Sequence, residues 1–573
     1  MDKRSVNNIA LSLICIISIL VVGAQIYFEM VSLFTLFLYL LSIGICIFVL
    51  KNSFNWNSNQ GKTIERKDVI IIASLIILQL GLLWYFSSFP GHYHYDDFIH
   101  AHSSHTLPPI SEINWFAGYP VWGFVAGYPI LFYILQKPFL VILGPSVSAV
   151  KISTWPYTVL IVIYTYLLAK EIFSRRFWAC ITTLFLIFLA PYLYIVSLGQ
   201  HLTSSAAFST ASIYYFIRLL KSNSKTDSVL CGIFASLGYL TNSASYIIAP
   251  LLIAFIVIES LAVRSMKPLR QMLPALIIFF VILAPFIVYT QTKDNYFMHR
   301  ISAVNLFWGD WSHLRGSVHS FKDAVFAFRD QLSINFRSLY TPGIGGAGGY
   351  SFGYQAMLDL LTFIVLIFGC FLCIYQGFFN KKRVLLYSII ALFVAFIFGM
   401  VLTVPQAAFH RIFVIFPFIA ITIIAGISFM AERIPNKIGK LALPIVLLAV
   451  FVVTNLQIAY GMIKFGADEY DSIHMARFLN AYYPEGTHVY ISGFYGYHLE
   501  RELYIRTNNK YKLWTEEIGT MLPKIIENPG IVILLHPNTE DIKMLQKEFP
   551  DGRTVTTLYK KRLSSHVIFV PNI

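Results

Sequence analysis

Charged residues are scarce in this sequence, amounting to 13% of its 573 residues. A soluble domain carries about 25% charged residues, and the mean hydropathy here is +0.66. A chain of several soluble domains is therefore excluded. Intrinsic disorder is excluded as well, because 49 Phe, 34 Tyr and 9 Trp oppose it.

Cysteine is equally sparse, with six residues that all fall inside apolar runs. No disulfide framework is therefore predicted outside those runs. The Cys370-x-x-Cys373 pair has the spacing of a redox motif, but it lies within an apolar helix, so we interpret it as structural.

The formal net charge of +14 belongs entirely to residues 1–462, because residues 463–573 hold 13 basic and 13 acidic side chains. Most of the basic residues form seven clusters between long apolar runs. Positive residues in short loops mark the cytoplasmic face of a membrane protein. The charge is thus an orientation signal, and it requires no nucleic-acid partner.

Apolar runs of 18 or more residues are candidate membrane helices. We predict an all-α polytopic membrane domain over 1–462 with about 13 transmembrane helices, an N-terminus inside and an extracytoplasmic C-terminal domain. The predicted spans are 9–28, 31–50, 69–89, 147–168, 177–198, 203–220, 228–241, 243–262, 272–290, 356–378, 384–404, 412–430 and 441–461. Residues 128–144 are interpreted as interfacial or re-entrant, because Lys137, Pro129 and Pro138 interrupt them.

Three outer segments are large enough to hold a site: the loops 90–146 and 291–355, and the domain 463–573. The last of these is predicted to be a small α/β domain. Its predicted helices are 468–483, 516–527 and one from Glu540, and its strands are 488–492, 531–535 and two near Thr554 and His566. It has no glycine-rich phosphate loop and no nucleophile elbow, which favours a structural or acceptor-side role.

The loop 90–127 contains no Lys or Arg, yet it holds five of the 15 His and two adjacent aspartates. Asp96 and Asp97 have no basic neighbour in sequence, so mutual repulsion predicts a raised pKa for one of them. Such a pair suits a general base or a divalent metal site. If the segment is helical, Asp96 and His100 lie one turn apart on one face.

Other outer residues are candidates for substrate contact. His102, His201 and Glu112 are predicted to bind substrate, together with His100. Arg411, beside His410, either anchors the membrane interface or holds a lipid phosphate, since a guanidinium binds phosphate oxygens bidentately. The glycine-rich run 343–349 is either a mobile loop over a cleft or a linker.

Four motifs in this order resemble the GT-C glycosyltransferases, which are polytopic enzymes that use polyprenyl-phosphate-linked sugars. The motifs are Asp96-Asp97-Phe98-Ile99-His100, Glu171-Ile172-Phe173-Ser174-Arg175-Arg176, Leu237-Gly238-Tyr239-Leu240-Thr241-Asn242 and His410-Arg411. The chain is most similar to the protein O-mannosyltransferase and aminoarabinose transferase branch. The oligosaccharyltransferase branch expects a second acidic motif in a later loop and a Trp-Trp-Asp motif, and both are absent.

The resemblance implies transfer of a sugar from a polyprenyl-phosphate donor to an acceptor hydroxyl on the extracytoplasmic face of the plasma membrane. Asp96 or Asp97 would deprotonate the acceptor, and in-line attack would invert the anomeric carbon. Arg411, His410 and Arg300 would hold the donor phosphate. The expected partners are the donor, the bilayer and a protein, lipid or glycan acceptor. The resemblance establishes no cofactor, and a divalent metal (Mg, Mn or Zn) held by Asp96 and His100 stays open.

Two other functions remain as alternatives. A lipid-linked glycan ligase or polymerase would use similar donors. A polytopic transporter or flippase would carry ionisable residues at mid-span, whereas Glu29, Glu259 and Asp359 all lie at span ends.

Overall fold

The computed structural model describes residues 3–53, 64–89, 92–109, 111–119, 128–293, 302–309, 318–344, 356–380, 382–404, 406–466, 471–493, 496–535, 539–559 and 562–571. Its contacts divide the chain into two compact units. The first, here called the membrane unit, comprises 1–86, 108–132 and 154–462. The second, here called the outer unit after the outer segments predicted from the sequence, comprises 87–107, 133–153 and 463–573.

The membrane unit is helical. Its helices are Lys3–Tyr27, Leu33–Ser53, Arg66–Ser87, Trp155–Phe173, Arg176–Phe188, Ala190–Val196, Leu202–Ser222, Lys225–Tyr239, Ile248–Ala262, Lys267–Thr292, Phe321–Ser338, Leu360–Phe378, Arg383–Ala395, Phe416–Glu432 and Lys437–Gly466. Short 3-10 segments at Ser243–Ile247 and Phe409–Ile415 precede two of them, and a π-helical turn, Phe396–Val401, follows one. Gly232 permits the close packing of two helices, because a Cβ there would lie 2.2 Å from the carbonyl oxygen of Ala275.

Within the described ranges, ten helices are long and apolar enough to cross a membrane, or 11 if the bent pair Arg176–Phe188 and Ala190–Val196 is one span. The fold class is confirmed, and ten or 11 of the about 13 predicted spans pass this test of length and composition within the described ranges. Two predicted spans correspond to helices that fail this test. Leu202–Ser222 is rich in Ser and Thr, which are buried in the bundle, and Lys225–Tyr239 has only 15 residues.

The basic turn after Phe173 is tied to the start of another span by a buried carboxylate. Asp68 accepts from Lys170 Nζ at 2.6 Å, from Arg176 Nε at 2.9 Å and from Tyr166 OH at 2.9 Å. The side chain of Asp68 has no exposed surface. Three donors offset the removal of the carboxylate from water, so this cluster holds the cation-rich ends of the helices together.

The outer unit contains a five-stranded mixed sheet. Its strand order is Lys512–Thr515, His488–Ser492, Gly530–Leu535, Arg562–Val570 and Arg553–Tyr559. The first three strands are parallel, and the last two join by antiparallel pairing. The helices Asp471–Tyr482, Gly496–Arg506, Ile518–Glu527 and Thr539–Glu548 accompany the sheet. Separate apolar cores form from the alternating strand residues, as a two-sided sheet requires.

The outer unit also includes two segments of the first large loop, 87–107 and 133–153, in addition to 463–573. Its loop segments form the helices Tyr95–His105 and Val147–Ile152 and most of Leu131–Leu143. A third apolar core unites them with the sheet domain, because Phe98 and Leu140 pack with Ile473 and Ile505. Leu131–Leu143 is a 13-residue apolar helix, too short to span, as expected for 128–144; its interfacial position remains a prediction.

Candidate active site

The two aspartates lie in the first turn of the helix Tyr95–His105, here called the loop helix. His94 is its N-cap, and its Nδ1 accepts from the Asp96 amide at 3.1 Å. In return, the Asp97 carboxylate accepts from the His94 amide at 2.9 Å. This reciprocal pair is a capping box in which His replaces Ser or Thr, and it uses Asp97 to begin the helix.

The environments of Asp96 and Asp97 differ. Asp97 is 2% exposed, whereas the Asp96 side chain is 15% exposed. Burial raises the pKa of Asp97 to about 6, although the charge and the amide of His94 oppose the shift; Asp96 adds to it, and Lys151 opposes it. The predicted raised pKa within the pair is therefore found at Asp97, and burial contributes more to it than repulsion.

Asp96 Oδ2 lies 3.3 Å from His94 Nδ1. That nitrogen accepts from the Asp96 amide only while it carries no proton, and a proton placed on it would be donated to the Asp96 carboxylate. The imidazole and the carboxylate can therefore hold one proton between them. A partly exposed carboxylate that can take up a proton is a candidate general base.

The three other loop-helix histidines are held by tyrosines. His100 Nδ1 lies 3.0 Å from Tyr133 OH, and His105 Nδ1 lies 2.6 Å from Tyr504 OH. The ring of His102 contacts Tyr504 edge-on at 4.7 Å between centroids. Burial lowers the pKa of His100 and of His102 to about 4, so both are neutral near pH 7.

The helix Gly496–Arg506, here called the clasp helix, packs against the loop helix and was not predicted from the sequence. Tyr93 OH donates to Glu502 Oε2 at 3.2 Å. Arg506 places its guanidinium carbon 4.1 Å from the Tyr93 ring centroid and 4.8 Å from that of Phe98. Its Nε lies 4.0 Å from Glu502 Oε2. The charged residues of the clasp helix thus hold the segment that carries the aspartates.

Two more residues of the clasp helix act electrostatically on the site. Burial lowers the pKa of His498 to about 4; the Asp96 carboxylate opposes this shift and Arg501 adds to it. Arg501 also lowers the pKa of His100 and His102. A neutral histidine and a cation therefore lie within electrostatic range of the candidate base. Leu499 and Leu503, four residues apart and both buried, were the available signal for this helix.

A metal site at the loop helix is not supported by the geometry. In the parts of the chain that the structure describes, no group of three or more His, Cys, Asp or Glu side chains is arranged to hold an ion. Asp97 is engaged at the helix N-terminus, and His100 is held by Tyr133. The residues present fit proton transfer better than coordination, which needs several convergent ligands.

The remaining candidates lie in the membrane unit. His201 is 4% exposed, and its ring contacts Tyr128 at 5.2 Å and Phe132 at 5.7 Å between centroids. Arg411, next to His410 in the sequence, is half-buried and donates from Nη2 to the Val404 carbonyl at 2.9 Å. Glu112 is exposed.

Arg300 and most of the glycine-rich run lie outside the described residues.

Comparisons with known proteins agree with this architecture. Residues 128–289 match the family model described as dolichyl-phosphate-mannose-protein mannosyltransferase. A search of curated protein sequences gives no match. ArnT from Cupriavidus metallidurans in the apo state has a TM-score of 0.56 at 10% identity, covering 87% of this chain and 98% of that chain. The same protein bound to undecaprenyl phosphate has a TM-score of 0.54 at 11% identity, with 87% and 97% coverage.

The apo oligosaccharyltransferase from Archaeoglobus fulgidus has a TM-score of 0.48 at 13% identity over 78% of this chain, which spans 64% of that protein's length. The ArnT structures show the fold to be that of a polytopic GT-C protein. Together with the family match, they confirm the prediction of a GT-C superfamily membrane glycosyltransferase.

Proposed function

We propose that this protein transfers a sugar from a polyprenyl-phosphate-linked donor to an acceptor hydroxyl at the extracytoplasmic face, with inversion at the anomeric carbon. The observation that carries the proposal is the asymmetry of the aspartate pair. Asp97 is buried and begins the loop helix, while Asp96 is partly exposed and adjoins an imidazole. The fold and the family match supply the class of reaction.

Asp96 is the proposed base. Its carboxylate accepts the proton of the acceptor hydroxyl, the hydroxyl oxygen bonds to the anomeric carbon, and the bond from that carbon to the phosphate oxygen breaks. The leaving group is the polyprenyl phosphate, which retains the electron pair. His94 Nδ1, 3.3 Å from Asp96 Oδ2, offers a second place for the proton.

Arg411 is the proposed phosphate ligand, assisted by His410. Its Nη2 donates to the Val404 carbonyl, and a guanidinium carries five N–H donors in a planar arrangement that matches phosphate oxygens. A cation at the leaving phosphate stabilises the charge that develops as the bond breaks. Support for a donor of this kind comes from ArnT, which was solved with undecaprenyl phosphate bound. His100, His102, His201 and Glu112 remain proposed substrate contacts; the first two would act as neutral groups.

The test is an assay with membranes that contain the full chain and a radiolabelled polyprenyl-phosphate sugar, with and without acceptor extract. The proposal predicts label in an acceptor fraction only when extract is present. Label that accumulates inside sealed vesicles without covalent product would instead indicate a transporter. Label that enters long lipid-linked glycans would indicate a ligase or polymerase.

A further inference from the structure

A cavity of about 360 Å³ lies in the membrane unit, far along the chain from the proposed catalytic residues. Its wall includes the ends of the spans Val147–Phe173, Ser243–Ala262 and Phe409–Glu432 and the start of Arg383–Val401. Arg411 lies near the start of Phe409–Glu432 and the cavity at its end, which are about 30 Å apart for a helical span of this length. The cavity is thus distinct from the proposed donor-phosphate site.

Charged side chains line this cavity, and the cations among them outnumber the carboxylates. The cations are Arg175, Lys221, Lys382 and Arg383, and the carboxylates are Glu171, Glu259 and Glu432. Two ion pairs are internal to the wall. Arg383 binds Glu259 bidentately at 2.8 Å and 2.6 Å, and Lys221 Nζ lies 3.2 Å from Glu171 Oε2.

Arg175 and Lys382 are left for a ligand, since neither forms an ion pair with any residue in the described ranges. Each occupies the N-cap of a helix, Arg176–Phe188 and Arg383–Ala395 respectively, and neither helix receives a side-chain cap hydrogen bond. A cationic side chain cannot accept hydrogen bonds from the amides of the first helical turn. The positive ends of both helix dipoles therefore add to the positive potential of the cavity. Glu432 reduces the remaining charge of the wall to +1.

Apolar groups complete the wall. Trp178, Phe429 and Leu372 line the same cavity as the two cations, so a ligand would need an anionic group joined to an apolar part. The basic clusters at these span ends predict that the cavity opens on the cytoplasmic face, where anionic lipids are concentrated and basic pockets between helices bind their headgroups.

We propose that this cavity binds the phosphate headgroup of an anionic membrane lipid, with Arg175 and Lys382 on the phosphate and Trp178 beside the glycerol and acyl chains. A phosphodiester carries a single negative charge, which complements the net charge of the wall. The site does not rest on the proposed catalytic function, because it shares no residue with it.

Native mass spectrometry of the full-length protein in detergent tests the site, with phosphatidylglycerol and phosphatidylcholine of identical acyl chains as probes. Wild-type protein is expected to retain phosphatidylglycerol about tenfold better, and the double variant Arg175→Gln/Lys382→Gln loses this preference, because charge-assisted contacts are worth about that much. The matched control is Lys437→Gln/Lys440→Gln, which removes two exposed cations outside the cavity and should leave binding unchanged.

The charge-conserving exchange Arg175→Lys/Lys382→Arg should keep the preference, which separates loss of charge from loss of folding. Excess inorganic phosphate is the second probe. Displacement of the lipid would show that a free anion competes at Arg175 and Lys382, and persistence would show that the apolar part of the wall adds to the affinity; either result agrees with an anion site. Equal retention of the two lipids by wild-type protein, or a preference that survives in the double variant, would overturn the proposal.

Discussion

The guanidinium carbon of Arg506 lies 4.1 Å from the centroid of the Tyr93 ring, one residue before the cap of the loop helix. The same Tyr93 donates its hydroxyl hydrogen to Glu502, four residues before Arg506 on the clasp helix. Arg506 is 7% exposed in its side chain and Glu502 is 11% exposed. A buried ion pair and two aromatic rings therefore fix the entry to the segment that carries Asp96.

Arg506→Gln is expected to lower the stability of the outer unit by about 3–5 kcal/mol, because it leaves the buried Glu502 carboxylate without its cation. Arg506→Lys should recover part of the loss, since a lysine keeps the charge but not the planar stacking on Tyr93. Thermal unfolding of the full-length protein in detergent measures both effects.

A double-variant cycle with Glu502→Gln provides the control. Removal of both charges should be less destabilising than the sum of the single changes, because no buried charge is then left alone. Strictly additive effects would show that the pair is not coupled.

The variant Asp97→Asn is expected to change the pH dependence of the stability of the outer unit. Burial raises the pKa of Asp97 from 3.8 to about 6, so the folded state favours the protonated acid. The contribution of protonated Asp97 to the free energy of unfolding is fully present below about pH 4 and is lost as the pH rises through about 6. For a pKa shift of this size, the loss is about 3 kcal/mol.

Asparagine keeps a side-chain oxygen for the His94 amide without a charge. The variant should therefore gain stability relative to wild type between pH 4 and pH 7, as followed by thermal unfolding at each pH. Asp551→Asn, at an exposed position of the same unit, is the control and should show no such trend. A constant difference between Asp97→Asn and wild type across this range would contradict the assigned burial effect.

Arg411→Gln is expected to raise the KM for the polyprenyl-phosphate donor and to lower kcat/KM by about tenfold to hundredfold, the range of a lost charge-assisted contact. Arg411→Lys should restore only part, because one ammonium cannot both hold the Val404 carbonyl and bind phosphate bidentately. Initial rates over a range of donor concentrations give both constants.

The control for Arg411 is Arg433→Gln, at the opposite end of the same span. Arg433 stacks on Phe429 at 4.1 Å, and its loss should leave the KM for the donor unchanged. Equal effects of the two variants would indicate a general loss of membrane packing.

The sequence predicts much of the fold because hydrophobic runs and alternation are local signals. The strand His488–Ser492 has the predicted bounds, and the segment considered as a helix in the first outer loop forms the helix Tyr95–His105. The helix Leu202–Ser222 lies where the span 203–220 is predicted, but its buried Ser and Thr residues make it less apolar than the helices that pass the test.

The clasp helix was not predicted because it buries charged residues. Glu502 and Arg506 are charged residues that a periodic pattern assigns to solvent, whereas here they are buried against Tyr93 and Phe98. Their pairing depends on residues some 400 positions earlier, which no local pattern contains. The different environments of Asp96 and Asp97 could not be predicted from the sequence either, because they depend on which of the two carboxylates caps the loop helix.

Transfer of label by the variants Asp96→Asn and Asp97→Asn, measured in the same membranes at equal protein level, tests whether Asp96 is the base. Asp96→Asn is expected to abolish transfer while the protein still inserts and folds normally, because the acceptor hydroxyl loses its base. Asp97→Asn should retain transfer, because asparagine still caps the loop helix. Wild-type activity in Asp96→Asn would contradict the assignment of the base.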